Sequence, residues 1–242
     1  MSKRLLVIIW ASVFAVLFFL VVLYTFYQND SAMSSVNLKT GLPTVIIDAG
    51  HGGVDGGAQS KDGTLEKDIN LSISLKLNDI LKCFGVGTIM TRTTDISIHD
   101  KDADTIRQKK ISDIHNRMKI IDSTPGGIFV SIHQNHFTSE KYSGTQVFYS
   151  KNDPRSKLLA ESIQKSVVKN IQPENKRAVK PSGTEIYLLY HSNAPAVLVE
   201  CGFLSNAEET NKLKTEDYQS KISFAVACGI IGAVNTNISE EY

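Results

Sequence analysis

An α/β fold is predicted for residues 43–242: a single domain with a central mixed, mostly parallel sheet, flanked by helices on both faces and preceded by one transmembrane helix. Three observations predict it. Short apolar runs alternate with amphipathic segments, a pattern that favours a sheet covered by helices. About 200 residues remain after the N-terminal region, the size of one medium domain with a proper core. Leu5 to Tyr27 is apolar except for Ser12 and Thr25, and as a helix of roughly 34 Å it spans a hydrocarbon core.

Taken in chain order, residues 1–4 carry Lys3 and Arg4, and positive flanks stay in the cytoplasm. The stretch 5–27 is longer than a signal-peptide core and ends in Tyr24, Phe26 and Tyr27 without a small-residue exit, so it reads as a retained anchor. The protein is therefore expected to be a single-pass membrane protein with its remaining chain outside the cytoplasm. Residues 28–42 are polar, lack any period and read as a tether. Val45-Ile46-Ile47 forms a strand that stops at Asp48, followed by the turn Gly50-His51-Gly52-Gly53. Ile69, Ile73, Leu77 and Leu81 recur every fourth residue and predict a helix over 66–82, with Asp62 or Thr64 available near its start. Further strands are expected at 87–91, 128–132, 145–149 and 196–199, and further helices at 112–122, 155–170 and 218–233.

Composition excludes several function classes. Lys plus Arg number 26 against 25 Asp plus Glu, a net charge of +1 with both signs interspersed, so electrostatics imply no nucleic acid and no acidic polymer as partner. Three cysteines, Cys83, Cys201 and Cys228, are an odd number and argue against a disulfide framework. The Gly50–Gly57 loop lacks the lysine and hydroxyl residues of a phosphate loop.

His51, Glu66, His133 and Glu200 are the candidate site. Each stands at the end of an apolar strand-like run or opens a helix, which brings them toward the crevice where open α/β sheets hold their sites. Alone, His51 and His133 read as structural residues, and Glu66 as an acid favoured by a helix N-terminus. Glu200 is harder to assign to structure, because a carboxylate directly after Ala196-Val197-Leu198-Val199 needs a partner or a function. Two imidazoles and a carboxylate are a common ligand set for one catalytic zinc ion, which leaves Glu200 to move protons. His136, three residues after His133, reads as a loop residue; His99 and His115 read as solvent-exposed; Cys201 reads as a packed small side chain.

In order, the runs VIIDAGHGGVDGGA, GTLEKDINLSISLKLNDIL, TIMTRTTD, IFVSIHQNHF, GTQVFYS and PAVLVECGFLSN resemble the zinc-dependent N-acetylmuramoyl-L-alanine amidases of the amidase-3 type. The resemblance spans roughly residues 43–232 and implies that His51, Glu66 and His133 hold zinc while Glu200 is the catalytic carboxylate. It further implies peptidoglycan as substrate. Glu200 would take a proton from the attacking water and return it to the L-alanine nitrogen leaving the lactyl group of N-acetylmuramic acid. The anchored, domain-poor layout is most similar to sporulation amidases that prepare cortex peptidoglycan for muramic-δ-lactam formation and germination, which would place the domain in the intermembrane space around the forespore. Ala49 stands where many relatives carry proline, and Tyr190 and His191 where relatives carry a basic residue that contacts substrate. Arg117 matches a recurring arginine, for which a surface or helix-pairing role weighs at least as much as a catalytic one. A tethered wall hydrolase also raises the hypothesis of an activating protein partner. Two alternatives stay open at this stage: a tethered, non-catalytic wall-binding protein, and another zinc hydrolase of the same polymer, a carboxypeptidase or a deacetylase.

Overall fold

A computed structural model describes residues 41–235 together with Trp10. The expected anchor at 5–27, Trp10 apart, and nearly all of the tether lie outside the described residues. Among the described residues no helix is long and apolar enough to cross a membrane.

In chain order the elements are β1 (Val45–Ala49), α1 (Glu66–Cys83), β2 (Thr88–Met90), α2 (Ile106–Asp122), β3 (Ile128–Asn135), β4 (Gln146–Tyr149), α3 (Arg155–Asn170), β5 (Lys180–Pro181), α4 (Tyr187–His191), β6 (Ala196–Phe203), α5 (Ala207–Leu213) and α6 (Glu216–Ala233). The six strands form one sheet in the order β2-β1-β3-β6-β4-β5. Neighbours are parallel except β4, which runs antiparallel to β6. The sheet is mixed and mostly parallel, as its sequence suggested.

Strand alternation sends successive side chains to opposite faces. Val45, Ile47, Val130, Ile132, Val197 and Val199 share one core with Ile69, Ile73, Leu77 and Leu81 of α1, Leu159 and Ile163 of α3, and Ile222 and Val226 of α6. Ile46, Phe129, Ala196 and Leu198 share the other with Ile121 of α2 and Leu188 and Leu189 of α4. Because both faces are covered, the first halves of β1, β3 and β6 are runs of consecutive apolar residues, which is why they were readable from the sequence.

Element ends depart from expectation for local reasons. Thr105 and Gln108 form a reciprocal capping box, so α2 begins at Ile106 rather than near Ser112. Thr215 accepts from the Tyr218 amide and starts α6 at Glu216. Neither Asp62 nor Thr64 caps α1. Leu65 holds the N-cap position without a side-chain bond, and Asp62 instead binds Ser60 and Thr64 within the preceding turn. Strands β3 and β6 run past the site, to Asn135 and Phe203, with a register shift between His133 and Asn135. His133 and Glu200 therefore lie inside strands rather than after their ends.

Helices α3 and α6 approach closely where Gly229 faces Ile163; a Cβ at Gly229 would come 2.5 Å from the Ile163 Cα. Backbone cannot yield as a side-chain tip can. Gly229→Ala is expected to cost about 1–3 kcal/mol through overpacking, read as a lower urea midpoint with an unchanged slope.

Candidate active site and metal centre

The site is assembled at the C-terminal ends of β1, β3 and β6, beside the first turn of α1. His51 stands two residues beyond β1 with φ of 61°, a left-handed conformation uncommon for a residue with a Cβ. What holds it there lies beneath. Arg117 of α2, only 3% exposed, donates from Nη1 to the Asp48 carboxylate and to the Ala49 carbonyl (2.9 Å), from Nη2 to the His51 carbonyl (2.8 Å), and from Nε to Asp113 (2.6 Å). Arg92 donates to the carbonyls of Ala49, Gly50 and Lys67. Three consecutive carbonyls of the turn are thus fixed by two arginines. Asp48 also accepts from Ser131 (2.6 Å) and Thr91 (2.8 Å). Burial opposes its charge, yet Arg117 and these hydroxyls hold its carboxyl below the usual carboxylate range. Arg117 is therefore a buried anchor of the His51 turn, which corrects the surface role weighed for it, while its bond to Asp113 one turn earlier in α2 is the helix pairing.

Glu66 is 3% exposed and central to the cluster. Its Oε2 accepts from the Ala58 amide (2.8 Å) and lies 3.2 Å from His51 Nε2. Its Oε1 accepts from the Gln134 amide (3.1 Å) and from Asn70 Nδ2 (3.2 Å), and lies 2.8 Å from His133 Nδ1. One donor atom from each of His51, Glu66 and His133 lies within 4.8 Å of the other two. This donor set and its convergence fit a zinc ion.

Asp55 was not singled out from the sequence. Its Oδ2 lies 2.8 Å from His51 Nδ1 and fixes the ring so that Nε2 faces Glu66. Its position four residues after His51 in a glycine turn was the available signal. Burial works against a charged His51, but hydrogen bonds to Asp55 and Glu66 outweigh it and raise its pKa to about 9. Against the opposing effect of burial, His133 and His51 hold the Glu66 carboxyl, and His51 and Lys110 the Asp55 carboxyl, well below the ordinary range. A bound cation would take the place of the proton these carboxylates retain on the ring. Gly57, with φ of 69°, leaves the room this packing needs: a Cβ there would lie 2.6 Å from both Glu66 Oε2 and His51 Cδ2.

Glu200 is the neighbour of His133 across the parallel β3–β6 pair, so both side chains leave the same face. Its Oε2 is buried without a hydrogen-bond partner among the described residues. Burial pushes the carboxyl up to about 7; the nearby histidines favour its charge and Glu66 disfavours it. A carboxyl poised near neutrality and aimed at a cluster of metal-type donors can both accept and return a proton.

The remaining sequence candidates stand apart. His136 is exposed on the loop after β3, and His115 is exposed beside Tyr187. His99 is half-buried rather than exposed, with Nδ1 2.9 Å from Ser97 Oγ. Cys201 is fully buried, and burial raises its thiol pKa, as fits a packed side chain. Tyr190 and His191 meet edge to face in α4, before β6 begins, while Glu200 lies further along that strand.

The N-acetylmuramoyl-L-alanine amidase family model matches residues 45–232, which contain every element of the sheet and all four site positions. The chain belongs to this amidase family. It is an enzyme family of peptidoglycan hydrolysis, and its other members here agree. The germination-specific N-acetylmuramoyl-L-alanine amidase of Bacillus subtilis is 32% identical over 216 residues, covering 88% of this chain and 90% of that protein. The amidase LytC of the same organism is 31% identical over 190 residues, 78% of this chain and 35% of the larger relative. Among solved structures, the CwlD amidase from Clostridioides difficile, in complex with the GerS lipoprotein, superposes with a TM-score of 0.78 at 44% identity, covering 81% of this chain and all of that one.

Asp55→Asn in this amidase is expected to weaken zinc binding by about 10- to 100-fold, read by competition with a chromophoric chelator. A second expectation concerns the metal-free protein. Glu200 has a folded pKa near 7 against an ordinary value of 4.5, so the folded state holds its proton more tightly. Stability attributable to this group is present below pH 4.5 and is lost as pH rises toward 7. Between pH 5 and 6.5 the metal-free protein should lose on the order of 1–2 kcal/mol relative to Glu200→Gln, measured as a difference in urea midpoints.

Proposed function

We propose that this peptidoglycan amidase is zinc-dependent and cleaves the amide between the lactyl group of N-acetylmuramic acid and L-alanine, releasing intact stem peptides. The observation that carries this reading is the convergence of His51, Glu66 and His133 with Glu200 on the adjoining strand position. In it, His51, Glu66 and His133 hold one zinc ion and Asp55 orients His51. Zinc, when bound, supplies Lewis acidity toward a carbonyl and lowers the pKa of water. The protein's own part is proton management. Glu200, whose burial makes its ionised carboxylate more basic, accepts a proton from water and delivers it to the departing L-alanine nitrogen, which could not leave as an anion. Burial of Glu66 and the arginine-held turn keep the donors fixed, so little reorganisation accompanies reaction.

The finer assignments belong to the same proposal. Residues 5–27 anchor the protein in the cytoplasmic membrane with its N-terminus inside, residues 28–42 form the tether, and residues 43–242 act outside the cytoplasm on spore cortex, generating the substrate for muramic-δ-lactam formation. Similarity to the germination-specific amidase of Bacillus subtilis supports the cortex role. Absence of any lactam deficit in spores lacking the protein would overturn it. Protease accessibility of the domain from the cytoplasmic side would overturn the orientation. The structure of the similar CwlD amidase in complex with the GerS lipoprotein supports an activating protein partner; full zinc occupancy and full turnover by the isolated protein would remove the need for one.

Mass spectrometry of purified peptidoglycan digests tests the reaction. Stem peptides beginning with L-alanine should appear with the wild type, and turnover should fall by at least about 10³-fold with Glu200→Gln. Release of terminal amino acids or acetate instead would assign a carboxypeptidase or deacetylase. Binding without any product, even with zinc and partner supplied, would leave a non-catalytic wall-binding protein.

A further inference from the structure

The connection from β3 to β4, residues 136–145, follows the strand that carries His133 and carries exposed aromatic side chains to the edge of the site. Phe137 is 52% and Tyr142 37% exposed, and their rings meet edge to face at 5.1 Å. Tyr142 in turn lies 6.3 Å from the ring of Phe203, which ends β6 three residues after Glu200. The Arg177 guanidinium sits 4.6 Å over Phe203 and 5.8 Å from Tyr142, and Lys141 flanks Tyr142 at 5.6 Å. Arg177 Nη1 reaches Gln146 Oε1 at 3.4 Å, and Gln146 is the strand neighbour of Glu200. A rim of exposed Phe137 and Tyr142 is thus tied, through buried Phe203 and Gln146, to the strand position beside Glu200.

This rim is built, not loose. The Phe137 amide donates to Ser205 Oγ (3.1 Å), Asn206 Nδ2 to the Glu140 carbonyl (2.9 Å), and the Gly144 amide to Glu209 Oε1 (2.9 Å), while Glu209 Oε2 accepts from the Phe203 amide (2.9 Å). Arg177 Nε donates to the Ser143 carbonyl (2.8 Å). Large aromatic side chains held in the open by so many bonds lose apolar burial, and a contiguous patch of this kind marks a binding surface.

We propose that Phe137 and Tyr142 form a sugar-binding platform that seats the glycan strand by stacking against the apolar faces of its pyranose rings. The choice of ligand rests on the amidase reading: the sugar lies one short lactyl bridge from the carbonyl that Glu200 serves, so the polymer passes over the adjoining rim. Lys141 and Arg177 lie over the Tyr142 ring and leave it 37% exposed, while Phe137 is 52% exposed, and such open aromatic surface suits a neutral, hydroxyl-bearing ring with apolar C–H faces. The platform adds substrate grip and takes no part in proton transfer.

The experiment is co-sedimentation of the full chain, in detergent, with purified glycan strands stripped of stem peptides, which contain no scissile amide. The result therefore reads the platform even if the reaction assigned above is wrong. The expected outcome is that F137A/Y142A binds about tenfold more weakly than wild type, that F137Y/Y142F restores binding, and that soluble peptide-free glycan oligosaccharides compete while free stem peptides do not. Far-ultraviolet circular dichroism and zinc content of the alanine variant, matching wild type, exclude misfolding as the cause. Undiminished sedimentation of F137A/Y142A, or competition by stem peptide and not by glycan, would overturn the proposal.

Discussion

The buried pair of Asp48 and Arg117 is the constraint on which the site depends. A charged pair sunk between sheet and helix is costly to desolvate, and it is tolerated because every charge has several partners: two hydroxyls for Asp48, and Asp113 with two carbonyls for Arg117. Two of those partners are the carbonyls of Ala49 and His51. The bond network therefore converts α2 packing into the backbone shape of the turn, and it is this shape that aims His51 at Glu66. Removing either charge would leave the other stranded in the core and would release the left-handed residue at the same time.

The same economy of partners appears in Glu66. Its two oxygens serve two backbone amides, Asn70 and both histidines, which belong to segments separated by dozens of residues. Such a carboxylate stays ionised despite burial, whereas Glu200, across the strand pair and without a donor on Oε2, is pushed up to about 7. Two acidic side chains in one crevice are thus driven apart in protonation by their surroundings.

Much of this was legible in the chain. Continuous apolar runs revealed β1, β3 and β6 because both sheet faces are covered, and the fourfold spacing of Ile69 to Leu81 revealed α1. The four candidate residues were visible because a polar group abuts such a run or opens α1. Less legible were features fixed by distant partners. Arg117 looks like an ordinary helix-surface residue until Asp48 and the turn carbonyls are seen beneath it. Asp55 has no apolar pattern around it, and α4, α5 and β5 are too short for periodicity to register. The ends of β3 and β6 were placed early because His133 and Glu200 break the apolar pattern, while backbone pairing continues regardless of side-chain polarity.

The reversal of β4 has a consequence for how such enzymes diversify. A parallel neighbour would require a crossover from the site to the far edge of the sheet, but an antiparallel one lets residues 136–145 return directly along the mouth of the crevice. Insertions or deletions in that return stroke change what borders the crevice without shifting the pairing of β3 with β6, which fixes His133 beside Glu200. Chemistry and reach are thus carried by separate stretches of chain, and the second can be rewritten while the first stands still.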